Sequence, residues 1–257
     1  MLHLYPATPL FTATRTNWAR YLVRVGVIQP SFIPWRGYFD FIASVDVFIF
    51  YDDVQFSKNG WRNRNRIKTN QGSRWITVPV KHRNLSQLIL EIEIDNKFDW
   101  RKSHFGIWKA WYSDCPFYSD VIQLLGDLGE RAVLSNLSRF NIELITRIAR
   151  YLEIKTPTVC SSEWQLAGKG TDRLIDLLMK IGATTYLSGP SADAYLDKDL
   201  FRANGIRLEY KEYNYSPYPQ LWGEFDGFVT ILDMIANCGP ASSSMLKSRV
   251  PDRVIVS

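Results

Sequence analysis

Histidine and cysteine are scarce in this chain, with three of each among 257 residues. His3, His82 and His104 lie far apart, which excludes a histidine-rich metal site and leaves few imidazoles for acid–base chemistry. Cys115, Cys160 and Cys238 are odd in number and widely spaced. They make neither a metal motif nor a disulfide framework, and point to a reducing, cytoplasmic location. No run of 18 apolar residues occurs, so no transmembrane helix and no membrane insertion are expected. The first 20 residues lack an apolar stretch followed by a small-residue cleavage site, which argues against a signal peptide. Internal repeats and low-complexity segments are also missing.

What is present fits a globular chain: 46% hydrophobic and 22% charged residues, enough to bury a substantial core. The net charge of +5 suits an anionic substrate or a nucleic acid, but only weakly. Aromatics make up 14% of the chain and include nine Trp, the residues that stack flat or sugar-like ligands and also fill cores.

Residues 1–22 mix Pro6, Pro9 and four Thr without a period, and read as a flexible extension, with Val23 an alternative translation start. Residues 23–257 then read as one domain. Val25 to Ile28 is a buried strand by length and β-branching. A loop with Pro30 and Pro34 follows, then a short helix over Tyr38 to Ser44 and a second buried strand over Val45 to Tyr51. This order is a βαβ unit. Arg74 to Val80, Leu88 to Ile94, Thr158 to Ser161, Thr184 to Leu187 and Ile206 to Tyr213 read as further strands. Helical periodicity covers Trp100 to Tyr112, Asp120 to Leu128 and Ala132 to Leu152, a helical insertion over about 99–152. Thr171 to Ile181 is an amphipathic helix with Thr171 as its cap and Gly182 as its stop, and Thr230 to Asn237 is helical up to Gly239-Pro240. The fold class is therefore α/β: a mostly parallel, Rossmann-like sheet with an inserted helical segment.

Three constellations carry chemistry. The first is the loop from Gln29 through Trp35, Gly37 and Tyr38, placed after a buried strand where ligands meet open α/β sheets. Gly37 would allow close approach of an anion to the backbone; a rigid loop packed by its own aromatics is the alternative. The second runs from Tyr51 to Lys68 and contains Asp52, Asp53, Gln55, Lys58, Trp61, Asn63, Arg64, Asn65 and Arg66. Carboxylates orient an amine or a sugar hydroxyl, the guanidinium groups bind phosphate or carboxylate, and the Trp stacks. A charged surface hairpin, with Arg64 paired to Asp52 or Asp53, and an RNA-binding patch with Trp75 are the alternatives. The third is Ser188-Gly189-Pro190-Ser191 with Tyr195, a strand end running into a loop. His104, on the helix after Trp100, is the best available imidazole, though a packed polar residue is the commoner role.

Gln29-Pro-x-x-x-Pro-Trp-x-Gly-Tyr-Phe, Asp52-Asp-Val-Gln-Phe, Trp61-x-Asn-Arg-Asn-x-Ile and Trp75-Ile-Thr-Val-Pro-Val together resemble the WbqC-like family. Trp100 with His104, Tyr186-Leu-Ser-Gly, Tyr195-Leu and Asp233 before Asn237-x-Gly239 extend the likeness from about Val25 to Gly239. The resemblance implies a bacterial cytoplasmic protein encoded among cell-surface polysaccharide or specialised-metabolite genes, in a family some of whose members attach an amino acid to an amino sugar. A second, looser likeness is to nucleotidylyltransferases and class I synthetases. Pro34 to Phe39 stands where they carry His-x-Gly-His, but Gly37 alone is kept, which removes the residues on which adenylyl transfer relies.

The expected function is an acyl or aminoacyl transfer or ligation onto an amino sugar or similar amine. Asp52 or Asp53 would orient or deprotonate the amine, with His104 as the imidazole. Arg64 and Arg66 would bind an anionic or nucleotide-linked small-molecule donor, and Trp35, Tyr38 and Trp61 would form the stacking wall. Amide formation from a free acid is uphill, so an activated partner is required: aminoacyl-tRNA, a carrier-protein thioester or ATP. A non-catalytic nucleotide-sugar module and a tRNA- or RNA-binding protein are the rivals.

Overall fold

The computed structural model describes residues 22–84, 86–126 and 135–257, so the expectations for residues 1–21, and for the parts of the expected helices at 127–128 and 132–134, lie outside the described residues. The first apolar run forms β1 (Arg24–Ile28), followed by α1 (Arg36–Ala43) and β2 (Val47–Phe50). A hairpin comes next, β3 (Arg64–Thr69) and β4 (Gly72–Thr77), then a small ribbon of β5 (Val80–Lys81) and β6 (Glu93–Ile94). The inserted helices are α2 (Trp100–Tyr112), α3 (Tyr118–Gly126) and α4 (Leu137–Tyr151). The chain then alternates through β7 (Thr158–Cys160), α5 (Gly170–Ile181), β8 (Thr185–Ser188), α6 (Lys198–Ala203) and β9 (Arg207–Tyr210). It ends with α7 (Ile231–Cys238) and β10 (Arg253–Val256).

Six strands make one sheet in the order β10-β9-β8-β1-β2-β7. All neighbours run parallel except β10, which pairs antiparallel with β9. The α/β reading with a mostly parallel sheet therefore holds. Strands covered on both faces need apolar side chains at every position rather than alternation, and β2 meets this with Val47, Phe48, Ile49 and Phe50 all buried. Phe48, Phe50 and Leu187 pack on one face with Phe41 and Ile42 of α1, Leu144 of α4 and Leu232 of α7. Val25, Val27, Ile49 and Leu208 pack on the other with Leu174, Leu177 and Leu178 of α5 and Phe201 of α6. Each such side chain contributes about 1.5–3 kcal/mol when fully buried. Gly26 is required where α1 crosses β1: a Cβ there would sit 2.3 Å from Cε1 of Phe41.

Some local expectations change. Leu88 to Ile94 is not a strand over its length. The Glu91 carboxylate accepts from the Leu88 N–H (2.9 Å) and closes a single 3-10 turn over Ile89–Glu91, leaving only Glu93–Ile94 extended. Thr171 does not cap α5, whose N-cap is Lys169; its hydroxyl instead accepts from the Asp197 N–H (3.1 Å) at the start of α6. Gly182 does stop α5, at φ 75°, a conformation that favours glycine. Helix α6 is too short to show a period, and β10 places only Val256 among the buried residues; both escape a reading of pattern alone.

The loop leaving β1 is held by two buried asparagines. Asn65 of β3 donates from Nδ2 to the carbonyls of Phe32 (3.0 Å) and Ile33 (2.8 Å). Asn141 of α4 donates to the carbonyls of Pro30 (3.3 Å) and Arg62 (2.7 Å). The loop backbone reaches φ 34° at Ile33, an uncommon value for a β-branched residue. Buried carbonyls without donors cost about 1–3 kcal/mol each. Asn65→Leu is therefore expected to lower the unfolding free energy by roughly 2–4 kcal/mol, read by urea denaturation. Lys102→Ala, on the exposed side of α2, should stay within about 0.5 kcal/mol of the parent. Equal midpoints for the two variants would contradict this role of Asn65.

Candidate functional site

The parallel strands β1, β2, β7, β8 and β9 end at one edge of the sheet. From β1 the chain winds outward to β2 and β7, then returns past β1 to β8 and β9. The reversal lies between β1 and β8, where open α/β sheets hold ligands. Gln29 follows β1, Ser188 ends β8 with Gly189 next, and Tyr51-Asp52-Asp53 follow β2. Gln29, Asp52, Asp53, Ser188 and Gly189 thus share this edge. Two open grooves lie elsewhere. One borders β5 and β6, lined by Lys81, Glu93 and Asn136, and the other lies at the opposite edge, lined by Arg24, Thr185 and Arg207.

The two aspartates are engaged differently. Asp52 is buried, and its carboxylate accepts from the Ser162 N–H (3.1 Å) and hydroxyl (2.8 Å), fixing the turn after β7. Asp53 is half-buried and pairs with Arg173 of α5 at 2.6 Å. The Ser161 hydroxyl donates to Asp53 Oδ1 at 2.5 Å, with Asp52 Oδ1 at 3.1 Å, and its oxygen accepts from the Asp52 N–H (3.2 Å), which links the two aspartates through one serine. Arg173 also donates to the Tyr51 hydroxyl (3.0 Å). The sequence did not single out Ser161 or Arg173; an arginine on an amphipathic helix carries no local signal of such a partnership.

The hairpin β3–β4 presents the second group. Trp61 and Trp75 are 45% and 48% exposed, with ring centroids 5.2 Å apart, and the Arg64 guanidinium lies 4.2 Å from the centre of the Trp75 ring. Arg64 stacks here rather than pairing with Asp52 or Asp53. Arg66 reaches Asp226 at 3.3 Å and also bonds Ser73. Asn63 is buried and donates to the Val78 carbonyl (3.0 Å), so both asparagines of the Asn-Arg-Asn run hold backbone. Lys58 and Gln55 are exposed, Gln55 in a bridge with Leu88.

The remaining expected residues lie around the β1 loop. Trp35 packs against Tyr213, Tyr215 and Phe228, and its ring covers Gly37, where a Cβ would come 2.3 Å from Cζ2. Gly37 therefore makes room for an indole. The buried Tyr38 donates its hydroxyl to the Gln29 carbonyl (3.1 Å), and burial raises its pKa strongly. Tyr195 is 72% exposed beyond the β8 end. His104 is bonded through Nε2 to the Thr77 carbonyl (2.9 Å), so that nitrogen carries a proton. Its ring meets Trp100 and Phe32, and burial pushes its pKa down to about 4. Burial also raises the Cys115 and Cys160 thiols to about 12, which keeps both protonated at neutral pH.

A further buried carboxylate, Asp233 of α7, accepts from the Tyr112 hydroxyl (2.8 Å), the Tyr218 hydroxyl (2.9 Å) and Gln220 Nε2 (2.7 Å). Desolvation raises its pKa, and these donors oppose the rise. The cluster is internally satisfied and ties α7 to α2. Among the described residues, no group of three or more His, Cys, Asp or Glu side chains is arranged to hold a metal ion, and no helix is long and apolar enough to cross a membrane.

A doubly wound sheet with polar loops gathered at its reversal point defines an α/β protein with a mostly parallel six-stranded sheet. The chain belongs to the WbqC-like protein family, whose model matches residues 29–245. It is also 42% identical over 226 residues to the uncharacterized protein Rv1507c of Mycobacterium tuberculosis (strain ATCC 25618 / H37Rv), covering 87% of this chain and 97% of that protein. No solved structure matches significantly.

His104 makes stability depend on pH with a definite sign. Its folded pKa, about 4, lies below the ordinary 6.5. Between these values the unfolded chain takes up a proton that the folded chain refuses, so stability falls as pH drops from 6.5 towards 4. His104→Gln is expected to flatten this interval by on the order of 2–3 kcal/mol, measured as denaturation free energy at pH 7, 6, 5 and 4. Parallel curves for the two proteins would show that His104 is not buried neutral.

Proposed function

We propose that this protein is a transferase or ligase that forms an acyl or aminoacyl linkage on an amino sugar or a similar amine. It acts in the bacterial cytoplasm, in the biosynthesis of cell-surface polysaccharide such as O-antigen or of a specialised metabolite. Membership of the WbqC-like family is consistent with a biosynthetic role. The observation that carries the reading is Asp53, a half-buried carboxylate at the reversal edge, oriented by Arg173 and Ser161.

Asp53 accepts a hydrogen bond from the acceptor amine and aims its lone pair at the donor carbonyl. The amine attacks the acyl carbon, the tetrahedral intermediate collapses, and the leaving group departs with the donor's carrier. The amine proton passes to Asp53 or to the leaving group. The donor is already activated, as aminoacyl-tRNA, a carrier thioester or an acyl adenylate made with ATP. The protein then needs no thiol nucleophile, which fits the protonated state of Cys115 and Cys160. Trp61 and Trp75 offer an exposed stacking wall for the donor.

The second reading, a binding module without turnover, draws on the internal partners that already occupy Asp52 and Asp53. Mass spectrometry of co-purifying ligands, followed by incubation with an amino sugar and each of the three activated donors, separates the two. Transfer is expected to appear as an acyl mass increment on the sugar. Asp53→Asn should lower kcat on the order of a hundredfold, and Trp75→Ala should weaken donor binding roughly tenfold. Stoichiometric binding with no increment from any donor would favour the module, and binding only to RNA with a steep salt dependence would favour an RNA-binding protein.

A further inference from the structure

Five cations, Lys58, Arg62, Arg64, Arg66 and Lys68, lie between residues 58 and 68 with no carboxylate among them. Four have an evident place. Arg64 stacks on Trp75, Arg66 pairs with Asp226, Lys68 is buried against Gln220 and Glu224, and Lys58 is exposed to solvent. Arg62 differs. The residue is only partly exposed and its Nε, like that of Arg64, is shielded from solvent without an acceptor, but among the described residues its guanidinium has neither an acceptor nor a ring to stack on. Its charge is felt at the buried phenol of Tyr38, which bonds the Gln29 carbonyl at the end of β1, and the neighbouring Trp61 carbonyl is bonded to Phe32 of the same loop. Its Nη2 lies beside Gly60, 3.7 Å from where a Cβ would project. Burial lowers its pKa, yet an arginine stays charged at any physiological pH.

The backbone around Arg62 is held from three directions. The Trp61 carbonyl accepts from the Phe32 N–H (2.9 Å) in the β1 loop, and the Arg62 carbonyl accepts from Asn141 of α4 (2.7 Å). The Asn63 carbonyl accepts from the Val78 N–H (2.7 Å). A shielded Nε–H without an acceptor is costly to the fold, while the outer nitrogens of the guanidinium keep access to the surface. Rigid presentation of such a group is what a receptor needs, because little freedom is lost when a ligand arrives.

We infer that Arg62 is the anion receptor of the reversal edge, and that it takes the phosphate group of a phosphorylated ligand. The local excess of positive charge, with no acidic residue between 58 and 68, favours a phosphate over a singly charged carboxylate. The planar fork of Arg62 matches two oxygens of that group, with the Tyr38 side filling the inner wall. The inference rests on reading this edge as a ligand site and assigns the anionic part of the donor to Arg62, in place of the engaged Arg64 and Arg66.

The test uses the full chain with inorganic phosphate as probe, and acetate and chloride at matched ionic strength as controls. Binding is followed by isothermal titration and by the thermal midpoint. Phosphate should bind and stabilise the parent protein, and acetate should do so at least tenfold more weakly. Arg62→Gln should weaken phosphate binding at least tenfold while its midpoint without phosphate stays level or rises, since an unpaired charge has been removed. Arg62→Lys should recover part of the affinity. A structural cation would behave oppositely: a lowered midpoint for Arg62→Gln with phosphate affinity within twofold of the parent would overturn the inference. So would equal binding of acetate, or no binding of phosphate by the parent protein. Should Arg62→Gln fail to fold, phosphate affinity of Arg62→Lys equal to the parent's would overturn it as well, and a loss of severalfold would support it. Phosphate binding at Arg62 without acyl transfer would remove the transferase reading and leave this site standing. Transfer that proceeds with unchanged KM in Arg62→Gln would remove Arg62 alone.

Discussion

Two buried side-chain amides hold the loop that leaves the central strand. Asn65 and Asn141 supply donors to four carbonyls, those of Phe32, Ile33, Pro30 and Arg62. Through them the loop that leaves the central strand is joined to the hairpin on one side and to an inserted helix on the other. Without these donors the loop would bury polar backbone at a cost comparable to a sizeable part of a domain's net stability. An inserted helix therefore helps fix the geometry of a loop that belongs to the sheet.

The same economy of partners governs the charged groups at the edge. Most have a protein partner: Asp52 with Ser162, Asp53 with Arg173, Arg66 with Asp226, and Arg64 over Trp75. Such groups are positioned by the fold, and a ligand must compete with or share those contacts. Arg62 and Arg64 both lack an acceptor for Nε, and Arg62 stands apart because, among the described residues, no aromatic ring stacks on its guanidinium as Trp75 does on that of Arg64. That contrast within one short run is the basis for assigning the phosphate to Arg62.

Buried ionisable groups elsewhere bind parts of the chain that are distant in sequence. Lys211 reaches Asp40 at 3.1 Å and Asp252 at 3.2 Å, joining the end of β9 to α1 and to the last strand. Asp233, with Tyr112, Tyr218 and Gln220, does the same for α7. Truncating one member of such a cluster strands the others, so these sites are expected to be intolerant of substitution without touching any ligand.

The sequence by itself determined the α/β class, because unbroken apolar runs such as Val25 to Ile28 and Val47 to Phe50 suit only strands covered on both faces. It also marked the polar density between Tyr51 and Lys68, and the strand ends at Gln29, Asp52 and Gly189. It singled out Arg64 and Arg66 and passed over Arg62, with no local signal of what each of the three meets in the fold. Only the tertiary structure decided that, since what separates them is an aromatic ring at Trp75, a carboxylate at Asp226, and a desolvated place beside Tyr38. Gly37 reads as a point of close ligand approach in the sequence, yet in the fold it receives the Trp35 ring. Patterns of two or four residues encode which face is buried. The partner of a charge comes from other segments, more than a hundred residues away for Arg66 with Asp226 and Arg173 with Asp53, and only packing brings them together.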